Sequence, residues 1–345
     1  MFLKTEKEIM QNWGQEENPV VTVCCITYNQ ERYIEQTIKS FLMQETDFPF
    51  EIIIHDDAST DETANIVKKY AEKYPSIIRT IFQTENQYSQ GHDMDSFIWD
   101  ISKGEYIAIC EGDDYWTDPQ KLQIQTSKMK EHPECHISFH DVDETLNDEN
   151  ESLNPHPRAK KYDKEQIFDI RTVLAGGGSF MQTPTLMLHR KVIENLPEFY
   201  YVAPAGDYVI QFLGALNGGA LYINKNMAVY RVGADGSWRK SIEDPDKYIN
   251  FQTEWVDSYL TINDYYDGKY QNEIYTVLRT QTEYLAKFIF FNKDDKKEFR
   301  RLIEIAYQIE DNPSSKLSLW YHLRSFPFLL KGITSVLTLL KKIKG

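Results

Sequence analysis

Short apolar runs alternate with stretches of helical spacing through the first third of the chain. Val20–Thr27 (VVTVCCIT), Phe50–His55 (FEIIIH) and Tyr106–Cys110 are largely apolar runs, and Ile77–Gln83 is a strand-like stretch interrupted by Arg79 and Thr80. Runs of this length, rich in Ile and Val, predict strands buried on both faces. Between them, Glu31–Gln44 carries Tyr33, Ile34, Ile38, Phe41 and Leu42 at helical spacing. A second helix is expected up to about Tyr74, with Ser59 or Thr60 as its N-cap and Asp61 and Glu62 complementing its dipole. A third covers Met94–Ser102. Strands alternating with helices through short connections predict a mostly parallel α/β sheet.

The pattern continues less regularly. Asp118-Pro119 opens a helix over Gln120–Glu131, with proline in its first turn. Cys135–His140 reads as a short strand, and Asp141–Lys161 as a polar surface excursion. Gly176-Gly177-Gly178 precedes a strand expected over Ser179–His189. Ala205-Gly206-Asp207 starts a helix over Tyr208–Leu216. Ala220–Ile223 and Met227–Arg231 are two short strands, followed by a glycine-rich stretch ending at Trp238. From Asp244 the spacing is helical and rich in Tyr and Phe. The expected organisation is a lead-in helix (1–18), an α/β domain (19–240) and a C-terminal helical region (241–345).

In open α/β sheets, ligands bind outside the carboxyl ends of the strands. Three polar clusters fall there: Thr27-Tyr28-Asn29, Asp56-Asp57, and Glu111-Gly112-Asp113-Asp114. Three carboxylates within four residues repel one another, and a fold that gathers them needs a compensating cation. Hard oxygen ligands suit Mg²⁺ or Mn²⁺, and such an ion with open positions suits a diphosphate. The pattern therefore points to a nucleotide held with a metal. No GxGxxG follows the first strand and no GxxxxGK[ST] occurs, so neither a dinucleotide fold nor a P-loop is supported.

Composition narrows the partners. The 345 residues carry a formal charge of −15, which argues against non-specific nucleic-acid binding. Cys24, Cys25, Cys110 and Cys135 show no zinc or redox spacing and read as buried thiols in a reducing compartment. The polar N-terminus lacks the apolar core of a signal peptide, and no run of 18 apolar residues predicts a spanning helix. Leu317–Gly345 mixes apolar residues with cations and ends in Lys341, Lys342 and Lys344. It fits an interfacial membrane helix, a packed C-terminal helix or a dimer contact.

Taken together, PVVTVCCITYN, EIIIHDDASTDET, EGDDYW and AGDYV resemble the family 2 glycosyltransferases. The resemblance covers about Pro19 to Trp238, and YRVGADGSW looks like members that build bacterial surface polysaccharides. It implies the GT-A fold, a Rossmann-like and mostly parallel sheet flanked by helices, here with a C-terminal α-helical appendage. It further implies an inverting, metal-dependent transfer of a sugar from a UDP-sugar to a glycan or lipid-linked acceptor. The expected location is cytoplasmic, with peripheral contact at the inner face of the cell membrane through the C-terminus.

The resemblance also assigns residues. Thr27, Tyr28, Asn29 and Glu31 would border the nucleotide, with Tyr28 stacking on the base. Asp57 would accept the base N–H. Asp113 would bind ribose and, with Asp114, the Mn²⁺ or Mg²⁺ ion. Glu111, Trp116, Arg231 and Trp238 would face the donor or acceptor sugar. Asp207 would be the general base, with Glu198 as its rival, and its place at a helix start favours the ionised form near neutral pH. Many relatives carry a His two residues after the Tyr-Arg pair as a further metal ligand. Here that position is Gly233, with Asp235 or a water as substitute. His92, His140 and His189 read as structural. Singly, each motif also fits a plain turn or helix cap; their order favours the family. The competing readings are a nucleotidyltransferase and a catalytically silent relative that binds a sugar nucleotide or glycan.

Overall fold

A computed structural model describes residues 3–14, 16, 18–146, 156–157, 162–178, 180–235, 237, 244–293 and 295–330. The chain divides into two compact units, Met1–Glu243 and Asp244–Gly345.

In the first unit, the four apolar runs become β1 (Val21–Thr27), β2 (Phe50–Asp56), β3 (Ile78–Phe82) and β4 (Tyr106–Ile109). They pair in parallel in the order β3-β2-β1-β4. Thr27 lies beside Asp56 in register, so the ends of β1 and β2 are level and their loops emerge together. A short helix, α1 (Glu6–Met10), precedes β1 and is closed by a Thr5–Glu8 capping box. Helix α2 (Ile34–Leu42) buries Ile34, Ile38, Phe41 and Leu42, the face set by their spacing. Helices α3 (Thr63–Lys73) and α4 (Met94–Trp99) follow β2 and β3.

Beyond β4 the topology departs from the expected parallel order. The elements are β5 (Tyr115–Trp116), α5 (Lys121–Glu131), β6 (Ile137–Leu146), β7 (His156–Pro157), β8 (Gln166–Phe168) and α6 (Ile170–Gly176). They continue through β9 (Met187–His189), α7 (Glu198–Val202), α8 (Gly206–Ala215) and β10 (Ala220–Val232). The sheet runs on as β4-β9-β6-β10-β5, with β9 antiparallel to both neighbours and β10 parallel to β6. The sheet is therefore mixed. The strand expected over Ser179–His189 is confined to β9 because a 3₁₀ turn at Thr183–Thr185 takes up part of the run. The two short strands expected near its end are one, β10, whose register shifts around Asn226 absorb the polar break. Part of the expected excursion is strand, since β6 reaches Leu146; residues 147–155 and 158–161 lie outside the described residues.

Trp116 is a core residue, only 1% exposed. Its ring lies 4.7 Å from that of Phe41 and 4.2 Å from the Lys121 ammonium, and its Nε1–H donates to the Pro184 carbonyl at 3.0 Å. Burial pushes the Lys121 ammonium down to about 7. The sugar-facing role expected of Trp116 is thereby corrected: pairing of β5 with β10 turns the indole inward, beneath the acidic turn that precedes it.

Among its described residues the second unit has four helices: α9 (Pro245–Tyr265), α10 (Gln271–Asn292), α11 (Lys296–Gln308) and α12 (Ser315–Leu323). Asp244, Asp295 and Ser314 cap the first, third and fourth with side-chain acceptors. Leu278, Leu285 and Ile289 of α10 and Phe299, Leu302 and Ile303 of α11 are buried. Among the described residues no helix is long and apolar enough to cross a membrane.

Truncating a buried tryptophan costs about 3–5 kcal/mol. Trp116→Ala is therefore expected to lower the unfolding free energy by about that amount in denaturant titrations, and a loss below about 1 kcal/mol would contradict its place in the core.

Candidate active site

The loops after β1 and β2 are laced together by backbone donors and side-chain acceptors. The Asn29 N–H donates to Ser59 Oγ at 2.9 Å, and the Thr60 N–H donates to Asn29 Oδ1 at 2.8 Å. The Gln30 N–H donates to Thr63 Oγ1, the Glu31 N–H to Asp61, and the Glu62 N–H to the Glu31 carboxylate. Asn29 sits at φ 51°, a left-handed turn that asparagine tolerates. Ser59 and Thr60 thus do not cap α3, whose N-cap is Glu62 with no side-chain hydrogen bond. Their hydrogen-bonding groups hold the neighbouring loop instead.

Asp57 is buried at the end of β2. Its two carboxylate oxygens accept the backbone N–H groups of Gln87 and Tyr88, at 2.6 and 3.1 Å. Asn86 Nδ2 donates to the Asp57 carbonyl, and Gly91 closes the turn at φ 82°. The segment after β3 is therefore folded onto Asp57. Each carboxylate oxygen retains a second acceptor direction for a ligand donor.

Glu111, Asp113 and Asp114 meet at the end of β4, each offering an oxygen within 4.8 Å of the others. Asp113 and Asp114 are buried, and Glu111 is half-buried. Gly112 makes the tight turn possible, because a Cβ there would lie 2.4 Å from Gln30 Oε1 and 2.6 Å from Thr27 Oγ1. Thr37 of α2 holds the turn from below, its hydroxyl 2.9 Å from the Gly112 carbonyl and 2.6 Å from the Asp114 carbonyl. Burial raises the Asp114 carboxyl well above its usual range, and Asp113 and Glu111 raise it further. Burial followed by Asp113 and Asp207 does the same to Glu111. Asp113 is pushed up to about 6 by burial, with Arg231 and a hydrogen bond from Gln30 acting against it.

Arg231 fastens this turn rather than reaching out to a sugar. It is 7% exposed, and its backbone N–H donates to Asp114 Oδ1 at 2.7 Å. Its guanidinium donates to the Asp113 carbonyl and to Gln36 Oε1. The Tyr33 and Tyr115 ring centroids lie 5.0 and 4.7 Å from it. Asp114 Oδ2 remains buried without a hydrogen-bond partner. A buried carboxylate oxygen lacking a donor, beside two more hard oxygens, fits a divalent cation. Asp235 is ion-paired with Arg32 at 3.2 Å, and Gly233 adopts φ 75°.

Asp207 stands in the first turn of α8, its Oδ1 accepting the Tyr208 N–H at 2.7 Å. Gly206 lets the helix start against Tyr200, whose hydroxyl would lie 2.7 Å from a Cβ at that position. Burial raises the Asp207 carboxyl above its ordinary value, outweighing the backbone N–H that favours the charge. The Asp207 charge adds to the rise of the Glu111 and Asp95 carboxyls. Asp93 caps α4, with Asp95 in its first turn, and the Tyr200 hydroxyl donates to Asp93 at 3.2 Å. Sequence reasoning missed Gln30, Gln36, Thr37, Asp93 and Asp95, none of which lies in a strand-end motif. Glu198 is exposed at the start of α7, and Trp238 lies outside the described residues. His140 is buried and His189 stacks near His136, while His92 is exposed.

Residues 22–196 match the family model described as Glycosyl transferase family 2. An uncharacterized protein of Mycobacterium tuberculosis, Rv1520, is 34% identical over 229 residues, 66% of this chain and 63% of that protein. The chain thus spans less than two thirds of the length of this relative. The dTDP-rhamnosyl transferase RfbG of Shigella flexneri is 37% identical over 92 residues, 26% of this chain and 32% of that one. Among solved structures, S. aureus TarS 1–349 in complex with UDP-GlcNAc superposes with a TM-score of 0.59 at 18% identity. That match covers 89% of this chain and 87% of TarS 1–349. The fold is of the GT-A type.

The Asp57 latch yields a prediction. In Asp57→Asn one oxygen becomes an amide NH₂ facing a backbone donor, and a hydrogen bond to a charged group contributes about 1.5–3 kcal/mol. Backbone amides of residues 85–91 should then exchange roughly 10–100-fold faster than in the parent, measured by hydrogen exchange without nucleotide. Unchanged protection would contradict the latch.

Proposed function

Since the chain belongs to glycosyl transferase family 2, we propose that it moves a sugar from a nucleotide-diphosphate donor, UDP-linked, to a hydroxyl of a glycan or lipid-linked acceptor. The transfer inverts the anomeric centre and serves surface-polysaccharide synthesis. The observation that carries the reading is the cluster of Glu111, Asp113 and Asp114 at the strand ends, with Asp114 Oδ2 buried and unpartnered. Support comes from TarS, solved with UDP-GlcNAc, and from RfbG, named for a dTDP-sugar. Uracil and thymine share the imide N–H that Asp57 would accept. The four buried free cysteines fit a cytoplasmic location.

Asp113 and Asp114 would hold Mn²⁺ or Mg²⁺, with Glu111 alongside. When bound, such an ion neutralises charge on the departing diphosphate. Arg231 fixes the two aspartates so that their oxygens need not reorganise. Tyr28, half-exposed at the loop after β1, offers a face to the base. Asp207 would take the acceptor proton. Its raised pKa makes it a stronger base, provided the pH stays above that value. A nucleotidyltransferase would want a phosphate-binding loop after β1, and CCITYNQE supplies none.

Two outcomes test the reading. Asp207→Asn should reduce kcat about 10²–10⁴-fold with donor affinity nearly unchanged. In the parent, kcat should rise with pH along an acid limb above the ordinary aspartate range, because only the deprotonated base works and burial raises its pKa. A full-rate Asn variant would transfer the role to Glu198.

The second outcome concerns the ion. UDP affinity of the parent should fall on adding EDTA and recover with Mn²⁺, while Asp114→Ala should be insensitive to both. Equal affinity in all four conditions would remove the metal from the account.

A further inference from the structure

The second unit carries a surface that transfer chemistry does not use. At one end of it, Phe290 packs on Phe299 and Trp320, with ring centroids 5.1 and 4.9 Å apart. Beside them opens a cavity of about 450 Å³, walled by Ile289, Phe299 and Phe328, with Lys293, Lys296 and Arg300 in the same wall. Phe291, Phe326, Phe328 and Leu329 are exposed around it, Phe328 by 68%. Four large apolar side chains clustered at one end exceed the scattered exposure normal for a soluble surface.

The cations are placed to accompany these rings. Arg300 is directed to the Arg324 and Ser325 carbonyls, at 3.3 and 3.5 Å, which holds the segment bearing Phe326 and Phe328 against α11. Those partners are neutral. Lys296 and Lys297 are exposed on the first turn of α11, and Lys293 is ion-paired with Asp246. The acid in the wall, Asp295, is engaged as the cap of α11. Charge along the sequence is divided in the same sense: from Lys287 onward there are 12 Lys and Arg against 6 Asp and Glu, whereas the preceding residues hold 26 against 47.

We propose that this end of the helical unit docks on an anionic lipid surface. Phe291, Phe326, Phe328 and Leu329 enter the boundary between headgroups and acyl chains, and Lys296, Lys297 and Arg300 face the lipid phosphates. Apolar and cationic groups combined in this way bind an interface through buried area plus attraction to anionic lipid. Residues 331–345, outside the described residues, are a poorer occupant of the cavity. They carry four Lys and no acid, so they repel its cationic rim and share its preference for a negative surface. The surface includes no residue assigned to donor, metal or proton transfer, so its test is independent of the proposed reaction.

The test is co-sedimentation of the full chain with vesicles of phosphatidylglycerol and phosphatidylcholine, against phosphatidylcholine alone, at low and high salt. Binding is expected to the anionic vesicles, to weaken with salt, and to fall at least about tenfold in Phe326→Ser/Phe328→Ser and in Lys296→Glu/Lys297→Glu. The melting temperature and UDP affinity of both variants should match the parent, which separates lost docking from lost folding. Binding of the parent no better to anionic than to neutral vesicles would overturn the proposal. So would variants that bind as the parent does while deletion of 331–345 abolishes binding, since the tail alone would then be the anchor. A parent dimer that the phenylalanine variants convert to monomer, with no vesicle binding, would make a second copy the occupant instead.

Discussion

Mutual repulsion among Glu111, Asp113 and Asp114 is the constraint around which the first unit is built. Their oxygens lie within 4.8 Å of one another in a place that water reaches poorly, and their carboxyls are pushed upward in pKa as a result. Such a turn does not hold its shape unaided. Its carbonyls are taken by Thr37 from α2 and by the Arg231 guanidinium, and the Arg231 N–H takes one Asp114 oxygen. Arg231 reaches that position because β10 pairs with β5 immediately beyond the acids. The long final strand of the sheet thereby fastens the loop that ends β4. What is left uncompensated is one buried oxygen, and that is what an arriving cation would satisfy.

The same economy appears at the other strand ends. Polar side chains that look like helix caps are spent on joining loops, so Ser59, Thr60 and Asp61 bind the backbone of residues 29–31 or its partner side chains. Asp57 folds the segment after β3 onto itself. The groups at these strand ends are therefore held in place by the protein itself, which would lower the ordering cost of binding a ligand there. At Asp207 two effects oppose each other. A helix start favours its charge, yet burial near other acids opposes it more strongly, and the balance gives a base of raised proton affinity.

Much of this was legible in the sequence. Continuous apolar runs gave β1, β2 and β4 nearly to the residue, because a strand buried on both faces has no competing polar face. The motif after the fourth run located the acidic turn, whose three acids the fold brings together. The mixed sheet was not legible, since β9 is three residues long and strand direction leaves no mark on composition. Trp116 read as a sugar platform because the motif places it beside the acids. Only the β5–β10 pairing shows the indole turned inward. Arg231 was likewise taken for a ligand group, when its role depends on a contact more than a hundred residues away in the chain.

The central claim is that the acidic turn is completed by a divalent ion that arrives with the nucleotide diphosphate. Anomalous diffraction at the manganese edge, from crystals soaked with UDP and Mn²⁺, tests it most directly. The account predicts one strong peak about 2 Å from Asp114 Oδ2, in contact with the diphosphate and within the span of Glu111 and Asp113. UDP clearly bound, with no peak at Asp114 or with the ion held elsewhere, would contradict it.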